Sequence, residues 1–506
     1  MERAGAMVIL PLGLTVGGVT TWAAGLLNGL CGERRCVLVV HQPAPDAPAF
    51  RGALDPRVVV EELGGAVAVE RAEGDVAGLA GAYARVLARF GGGPVAVFPC
   101  HLGDCYGACA ELTRTAGTNI RVIGWAHSDN AYDARVLAHY ERAVALAGVV
   151  NGRLQREVAA AWGGRSADVR LVASGVDLGE ERDGPADVRR IVYVGRMDEG
   201  VKRVSALFAM SDELCERGVG HEVVLVGDGP AAMEVDRMIA ARPGREIRRR
   251  SGAGPVEVRE ELRRASFFVL PSRFEGLSLA MLEAMSESCC CVVMRENSGA
   301  AEVIRSGENG VLVHTGSGAD ARMAGADLAA AIAALSCADA FAMGRAARGT
   351  VAERFDARKL VAATGRMIDE AFDRPARRWP EGARAAFTAR PGEIGSGTVP
   401  ADADRRLRMV MDKLRGRAVA IHGTGRHSRE LAHVLREYEG SIAAFTDDDP
   451  AQHGTRFLEK PVVAPDVLAR IGATDVVISS HLHQDAIWSR RAALEAMGLR
   501  VHRLYA

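Results

Sequence analysis

The stretch Phe267-Phe268-Val269-Leu270-Pro271-Ser272-Arg273-Phe274-Glu275-Gly276-Leu277-Ser278-Leu279-Ala280-Met281-Leu282-Glu283-Ala284-Met285 holds an apolar run, a turn and the opening of a helix. Phe267–Leu270 has the length and residue types of a strand buried on both faces. Ser278 stands at the N-cap position, where its hydroxyl can accept an amide N–H of the first turn. The N–H groups from about Gly276 to Leu279 then lie at the positive end of a helix dipole, which suits a phosphate. Glu283 falls one turn inside this helix, where a carboxylate repels phosphate but suits a pair of ribose hydroxyls. Glu275 falls in the preceding turn, nearer the sugar end of such a ligand. Two surface glutamates around a helix start account for the same spacing, so the neighbouring segments must decide.

Strand–helix units recur on both sides of this stretch. Met7–Leu10, Val37–Val40, Val58–Val60, Val95–Phe98 and Val122–Trp125 read as strands, with helical patterns over Thr20–Leu30 and Val76–Phe90. The alternation restarts after Gly175. Ile191–Val194, Glu222–Val226, Ser266–Leu270 and Cys290–Val293 are strand candidates; Val201–Arg217, Ala231–Ala241, Pro255–Arg264 and Leu279–Glu287 are helical. This pattern predicts two α/β domains with mostly parallel sheets, over residues 1–183 and 184–372. The helix 357–372 closes the second. Residues 373–400, rich in Pro, Gly, Arg and Ala, read as a linker. Strand candidates resume at Ala418–Ile421, Ile442–Phe445, Asp475–Ile478 and Val501–Leu504, which predicts a small Rossmann-like accessory domain over 401–506.

Composition narrows the function. A formal net charge of −1 argues against a protein that coats nucleic acid, and no nucleic-acid partner is expected. The basic run Arg245–Arg250 reads as a solvated face or loop, with peripheral contact to an anionic membrane surface as the alternative. No run of about 20 apolar residues lacks charge, so no transmembrane helix is expected. Ala6–Gly13 reads as a first strand and turn rather than a secretory leader. Cys289, Cys290 and Cys291 read as buried strand residues. Cys100, Cys105 and Cys109, with His101 and Asp104, have neither C-x2-C nor iron–sulfur spacing, and no metal is expected there. A cytoplasmic location fits, with the inner face of the membrane as a variant of it.

A second loop carries charge in a telling place. Gly195-Arg196-Met197-Asp198-Glu199-Gly200-Val201-Lys202 follows the strand Ile191–Val194. Lysine occurs only at 202, 359, 413 and 460 in a chain rich in arginine, which singles out Lys202. The turn puts Arg196 and Lys202 at the C-terminal edge of a parallel sheet, where such folds bind ligands. Two cations there can neutralise a departing diphosphate without a metal. An ordinary charged loop is the alternative.

Together these pieces resemble the retaining GT-B glycosyltransferases of family 4, the group 1 transferases. The resemblance runs over about residues 7–372 and is strongest over 191–313. Leu225-Val226-Gly227-Asp228-Gly229-Pro230, Asn297–Ile304 and Glu308–Val313 match family motifs as well. The resemblance implies that Arg196 and Lys202, with the backbone of Gly276, Leu277, Ser278 and Leu279, hold the donor diphosphate. It implies that Glu275 contacts the transferred sugar and that Glu283 binds the ribose. Gly17 and Gly18 match a glycine-rich loop that approaches acceptor or donor phosphate; a tight turn is the alternative. His127, with Asp129 beside it, matches a cleft histidine near the transferred sugar; a satisfied core histidine is the alternative. One departure stands out: the family's Gly-x-Pro turn after the second glutamate is replaced by Ser288, Cys289 and Cys290.

The function implied is retaining glycosyl transfer from an NDP-sugar to a hydroxyl acceptor, be it glycan, lipid or small molecule. No cofactor or metal is required on this reading, since the NDP-sugar is the donor substrate. A non-catalytic sugar-nucleotide sensor or scaffold, and a GT-B epimerase, are the competing functions. In the accessory domain, His422-Gly423-Thr424-Gly425-Arg426-His427-Ser428 follows a strand as a weakened dinucleotide fingerprint. The next strand leads to Asp447-Asp448-Asp449. Gly423, Gly425, Ser428 and Asp447 are its candidate nucleotide ligands. The pattern resembles the small domains of sugar-nucleotide-modifying enzymes, including the amino-terminal domain of certain sugar acyltransferases. A docking or packing domain is the alternative.

Overall fold

The structure is a computed structural model. It describes residues 3–11, 17–41, 52–63, 76–100, 102–115, 117–128, 131–185, 188–295, 299–314, 320–383, 385–387, 403–424, 427–428, 431–448, 452–480, 484–489 and 491–505. The chain divides into two compact units. Met1–Thr315 with Ala319–Arg390 belong to the first and Pro391–Ala506 to the second.

The first unit contains two parallel sheets. One is built from β1 (Gly5–Leu10), β2 (Cys36–Val40), β3 (Val59–Glu62), β4 (Val95–Pro99), β5 (Ile120–Ala126), β6 (Val144–Val149) and β7 (Val169–Leu171), in the order β3-β2-β1-β4-β5-β6-β7. The other is built from β8 (Arg190–Val194), β9 (Glu222–Val226), β10 (Ile247–Arg250), β11 (Phe267–Leu270), β12 (Cys290–Met294) and β13 (Val311–Val313), in the order β10-β9-β8-β11-β12-β13. Every strand pair within them is parallel. The central strands are continuous apolar runs because helices cover both faces; β1, β2, β4, β11 and β12 are buried along their whole length. These are the two parallel sheets expected from the strand–helix alternation, in the GT-B architecture that the resemblance implies.

Strand order reverses between β1 and β4 in the first sheet and between β8 and β11 in the second. A crevice opens at the carboxyl ends of strands where the order reverses, and ligands bind there. In the second sheet the loops leaving β8 and β11 are the two motif-bearing turns, 195–204 and 271–278.

The closing helix, Ala357–Asp373, returns to the first sheet's half of the unit. Val361 fills the space beside Gly29, where a side chain would meet it at 2.3 Å. Arg34 pairs with Asp369 at 2.6 Å, and Arg121 donates to the Ala371 carbonyl at 2.9 Å.

Three expectations need correction. Of the solvated face or loop read at Arg245–Arg250, the loop is corrected: Ile247–Arg250 is β10, the edge strand of the second sheet, with Arg245 and Arg248 exposed. Arg249 pairs with Asp228 and Asp236, while Arg248 and Arg250 converge on Glu261. Charge on an edge strand discourages pairing with another chain, which is why an arginine run can be a strand. The helix read as Val201–Arg217 starts only at Ser205, because Asp198 holds the Val201 amide in a turn and Arg203 takes a φ of +50°. Residues 373–400 are not a linker throughout. Trp379 is buried, its amide donates to Thr113 Oγ1 at 2.9 Å, and the Ala385 carbonyl accepts from Tyr140 at 2.5 Å. Proline and alanine content says nothing about the aromatic partners that fix this segment.

The second unit carries a sheet of β14 (Val419–His422), β15 (Ile442–Thr446), β16 (Arg456–Phe457), β17 (Lys460–Val463), β18 (Asp475–Ile478) and β19 (Arg500–Arg503), in the order β16-β17-β15-β14-β18-β19. It is parallel except for the β16–β17 pair. A Rossmann-like order with its own reversal between β14 and β18 follows. Among the described residues of the chain, no single helix is long and apolar enough to cross a membrane.

Candidate active site

The β8 and β11 loops are locked together by backbone and side chain. The Arg273 amide donates to the Val201 carbonyl at 2.8 Å, and Arg203 Nε donates to the Pro271 carbonyl at 3.0 Å. A third loop, after β9, packs beneath them. Gly227 has a φ of +138°, and a Cβ there would lie 2.1 Å from the Gly195 carbonyl oxygen, so the match of the Gly-Asp-Gly run has a steric reason. Met197 exchanges backbone hydrogen bonds with this loop, its amide donating to Asp228 and its carbonyl accepting from Ala231, both at 2.9 Å.

On this platform the Lys202 ammonium donates to the Glu275 carboxylate, and Ser272 Oγ donates to the same oxygen at 2.8 Å. Both charged side chains are largely buried, 21% and 14% exposed. Arg196 is placed differently: its side chain is 65% exposed and stands 4.0 Å from Asp198. The two predicted cations therefore occupy one loop, but only Lys202 touches Glu275.

The helix after β11 is Leu279–Ser286, and Ser278 caps it, its Oγ accepting from the Met281 amide at 3.3 Å. Leu277 and Leu279 are buried. Gly276 lies against the first sheet's half of the unit: a Cβ there would sit 2.1 Å from the His127 carbonyl oxygen. Asn151 Nδ2 donates to the Gly276 carbonyl at 3.0 Å, and the Gly299 amide donates to the Glu275 carbonyl at 3.2 Å. The turn carrying Glu275 is thus gripped from the opposite sheet.

Glu283 lines a cavity of about 890 Å³ together with Thr21, Gly25, Pro255, Arg259 and Glu287. Burial pushes its carboxyl up to about 7, with Arg259 pulling the other way. Glu287, one turn on, is 2% exposed and 3.2 Å from Arg259; burial raises its carboxyl as well.

His127 follows β5 and packs edge-on against Trp22 at 4.6 Å. Its amide and that of Ser128 both donate to Asp133 Oδ2, at 3.0 and 3.1 Å. Gly17 caps the helix Gly18–Leu30 in an extended conformation open to any residue, and a side chain there would meet nothing within 4 Å. Gly18 lies by Leu279, 3.7 Å from a would-be Cβ. Asp129 lies outside the described residues.

Sequence reasoning missed Asn151 and Asp133, and it gave no role to Ser272 and Glu302 within the motifs it singled out. Glu302 accepts the Gly152 amide at 2.9 Å, a second tie between the halves. Only Asn151 carries a local signal: it precedes a helical pattern, and its Oδ1 accepts the Leu154 amide at 2.8 Å as an N-cap.

In the second unit, Asp447 Oδ2 accepts from both the amide and the hydroxyl of Thr424, at 2.8 and 2.7 Å. Ser428 is fully buried, and its Oγ donates to the Gly423 carbonyl at 2.5 Å. Gly423 takes a φ of +110°. Asp447 thus ties the glycine loop to the end of β15, and Ser428 ties it to itself; Gly425 lies outside the described residues.

Residues 188–337 match the family described as "Glycosyl transferases group 1". The chain is 31% identical over 131 residues to the putative glycosyltransferase EpsF of Bacillus subtilis, covering 26% of this chain and 31% of that protein. It is 31% identical over 134 residues to the alpha-D-kanosaminyltransferase of Streptomyces kanamyceticus, covering 26% and 34%. The chain thus spans about a third of the length of these curated relatives. The crystal structure of Anabaena HepE in complex with UDP and glucose superposes with a TM-score of 0.56 at 14% identity, over 72% of this chain and 100% of that one. Val188–Cys337 is thus the part of the chain that resembles the group 1 glycosyltransferases, and it is carried on a GT-B fold.

Proposed function

We propose that the protein transfers a glycosyl group from a nucleoside-diphosphate sugar to a hydroxyl acceptor, with retention at the anomeric carbon. The observation that carries this reading is the Lys202–Glu275 pair, set at the strand-order reversal beside a capped helix start. A donor diphosphate arriving there competes with Glu275 for the Lys202 ammonium and receives the positive end of the helix Leu279–Ser286. Arg196, exposed on the same loop, adds a second cation. As the glycosidic bond breaks, charge grows on the departing diphosphate, and these fixed positive groups stabilise it. Glu275, released from Lys202, turns to the sugar. Glu283 accepts from ribose hydroxyls within the cavity, and His127 lies on the sugar side. Gly17 leaves room for phosphate to approach the backbone.

The presence of UDP with glucose in the Anabaena structure supports a nucleotide donor. The reading includes metal independence and a reducing cytoplasm, and it gives the second unit no part in the chemistry. The test is a panel of NDP-sugars with hydroxyl acceptors, scored by NDP release and by the anomeric configuration of the product. Release with one donor and a retained anomer is expected. Donor binding without consumption across the panel overturns transfer in favour of a sensor, and acceptor-free release of an epimer overturns it in favour of an epimerase.

A further inference from the structure

The segment that follows the closing helix runs back over the first sheet's half of the unit and binds two helices at once. Arg114 donates to the Pro380 and Ala383 carbonyls, and the Trp379 amide donates to Thr113 Oγ1. These contacts fix the end of the helix Gly103–Arg114. Phe387 presses on its start: a Cβ on Gly103 would lie 2.6 Å from Phe387 Cβ. The neighbouring helix, Ala131–His139, is held at both ends. At its start, Tyr132 meets Phe387 ring to edge at 5.7 Å and accepts the Gly103 amide at 2.9 Å. At its end, His139 meets Phe387 at 5.3 Å and Trp379 at 5.6 Å.

The first turn of that second helix carries Asp133, 6% exposed, whose Oδ2 receives the amides of His127 and Ser128. One carboxylate oxygen therefore fixes the backbone that carries His127, and the strap fixes the helix that carries the carboxylate. The last described strap residue, Phe387, lies four residues before the second unit begins at Pro391.

We infer that Trp379–Phe387 is a positioning strap for His127, acting through Tyr132 and Asp133 from the segment that leads to the second unit. The inference rests on the reading that His127 faces the transferred sugar. A shift of about 1 Å at a reacting group costs up to about a hundredfold in rate, so loosening this chain reaches turnover without touching donor contacts.

The test is a double-mutant cycle in the full-length protein, with Phe387→Ala and Tyr132→Phe each made in the wild-type and the His127→Ala backgrounds. In the wild-type background each change is expected to lower kcat about tenfold with donor KM within about twofold. In the His127→Ala background the further loss is expected to fall below about twofold, because the group being positioned is gone. Phe387→Leu, which keeps an apolar side chain, is expected to restore most of the rate. Equal losses in both backgrounds, or unchanged kcat in Phe387→Ala, overturn the strap while leaving transfer intact. Should Phe387→Ala not fold, Tyr132→Phe decides the cycle alone. A wild-type protein that consumes no donor overturns the proposed function instead.

Discussion

The Lys202 ammonium donates to the Glu275 carboxylate across 73 residues of sequence, joining the loop after β8 to the loop after β11. On the proposed function the pair holds both side chains in place and shields their charges until a sugar diphosphate arrives. Lys202→Met is expected to lower kcat about a hundredfold to a thousandfold, the range seen when one donor to a developing anion is removed. NDP release under donor saturation measures it. A rate within a few-fold of wild type removes Lys202 from the site.

Glu283 predicts a pH signature in the unliganded protein. Its folded value of about 7 is above the ordinary 4.5, so the folded state binds the proton more tightly. The stabilisation this gives is complete below about pH 4.5 and is lost as pH rises through about 7, an effect on the order of 3 kcal/mol. Glu283→Gln lacks that loss and is expected to be the more stable protein at pH 8, by thermal melts compared at pH 5 and 8. Donor binding runs the other way, since ribose hydroxyls donate best to the ionised carboxylate. Glu283→Ala is expected to weaken donor affinity by about 1.5–3 kcal/mol.

Ser288 occupies the turn where the resembling motif has Gly-x-Pro, and it takes a left-handed backbone that favours glycine: φ is +60°. It is fully buried, and its hydroxyl has no hydrogen-bond partner. Ser288→Gly relieves both costs and is expected to stabilise the protein by about 1–2 kcal/mol. Chemical denaturation reads this directly, and a destabilised variant contradicts the account.

The strap moves the boundary at which the chain can be cut. A chain ending at Phe372 strips Trp379 and Phe387 from the aromatic cluster around Tyr140, and losing a buried tryptophan alone costs about 3–5 kcal/mol. Residues 1–390 are expected to stay soluble and keep donor turnover, while residues 1–372 melt well below them. Equal melting points for the two overturn the strap's structural weight.

Turnover is expected to survive EDTA, because Lys202, Arg196 and the helix start supply the positive charge a diphosphate needs. The Asp-x-Asp patterns of the sequence, Asp402–Asp404 and Asp447–Asp449, both belong to the second unit. Loss of NDP release on chelation and its recovery with magnesium would refute this.

The amino-acid sequence by itself determined the strand–helix alternation, the parallel sheets and the loops that carry charge. Each of those follows from local periodicity and from caps such as Ser278, whose geometry is complete within four residues. The pairing of Lys202 with Glu275 was legible only as two motifs, since nothing local says which of Arg196 and Lys202 points inward. The roles of Asn151 and Glu302 were invisible: each acts on a backbone group supplied by another part of the fold, across about 125 and 150 positions of sequence. The segment after Asp373 shows the same limit from the other side. Its composition reads as a linker, but its order comes from Tyr132, His139 and Tyr140, aromatic rings that only the folded first sheet and its helices bring to one place. Burial is a property of the assembled core, so the raised carboxyl of Glu283 and the hidden hydroxyl of Ser288 were decided there and not by the residues themselves.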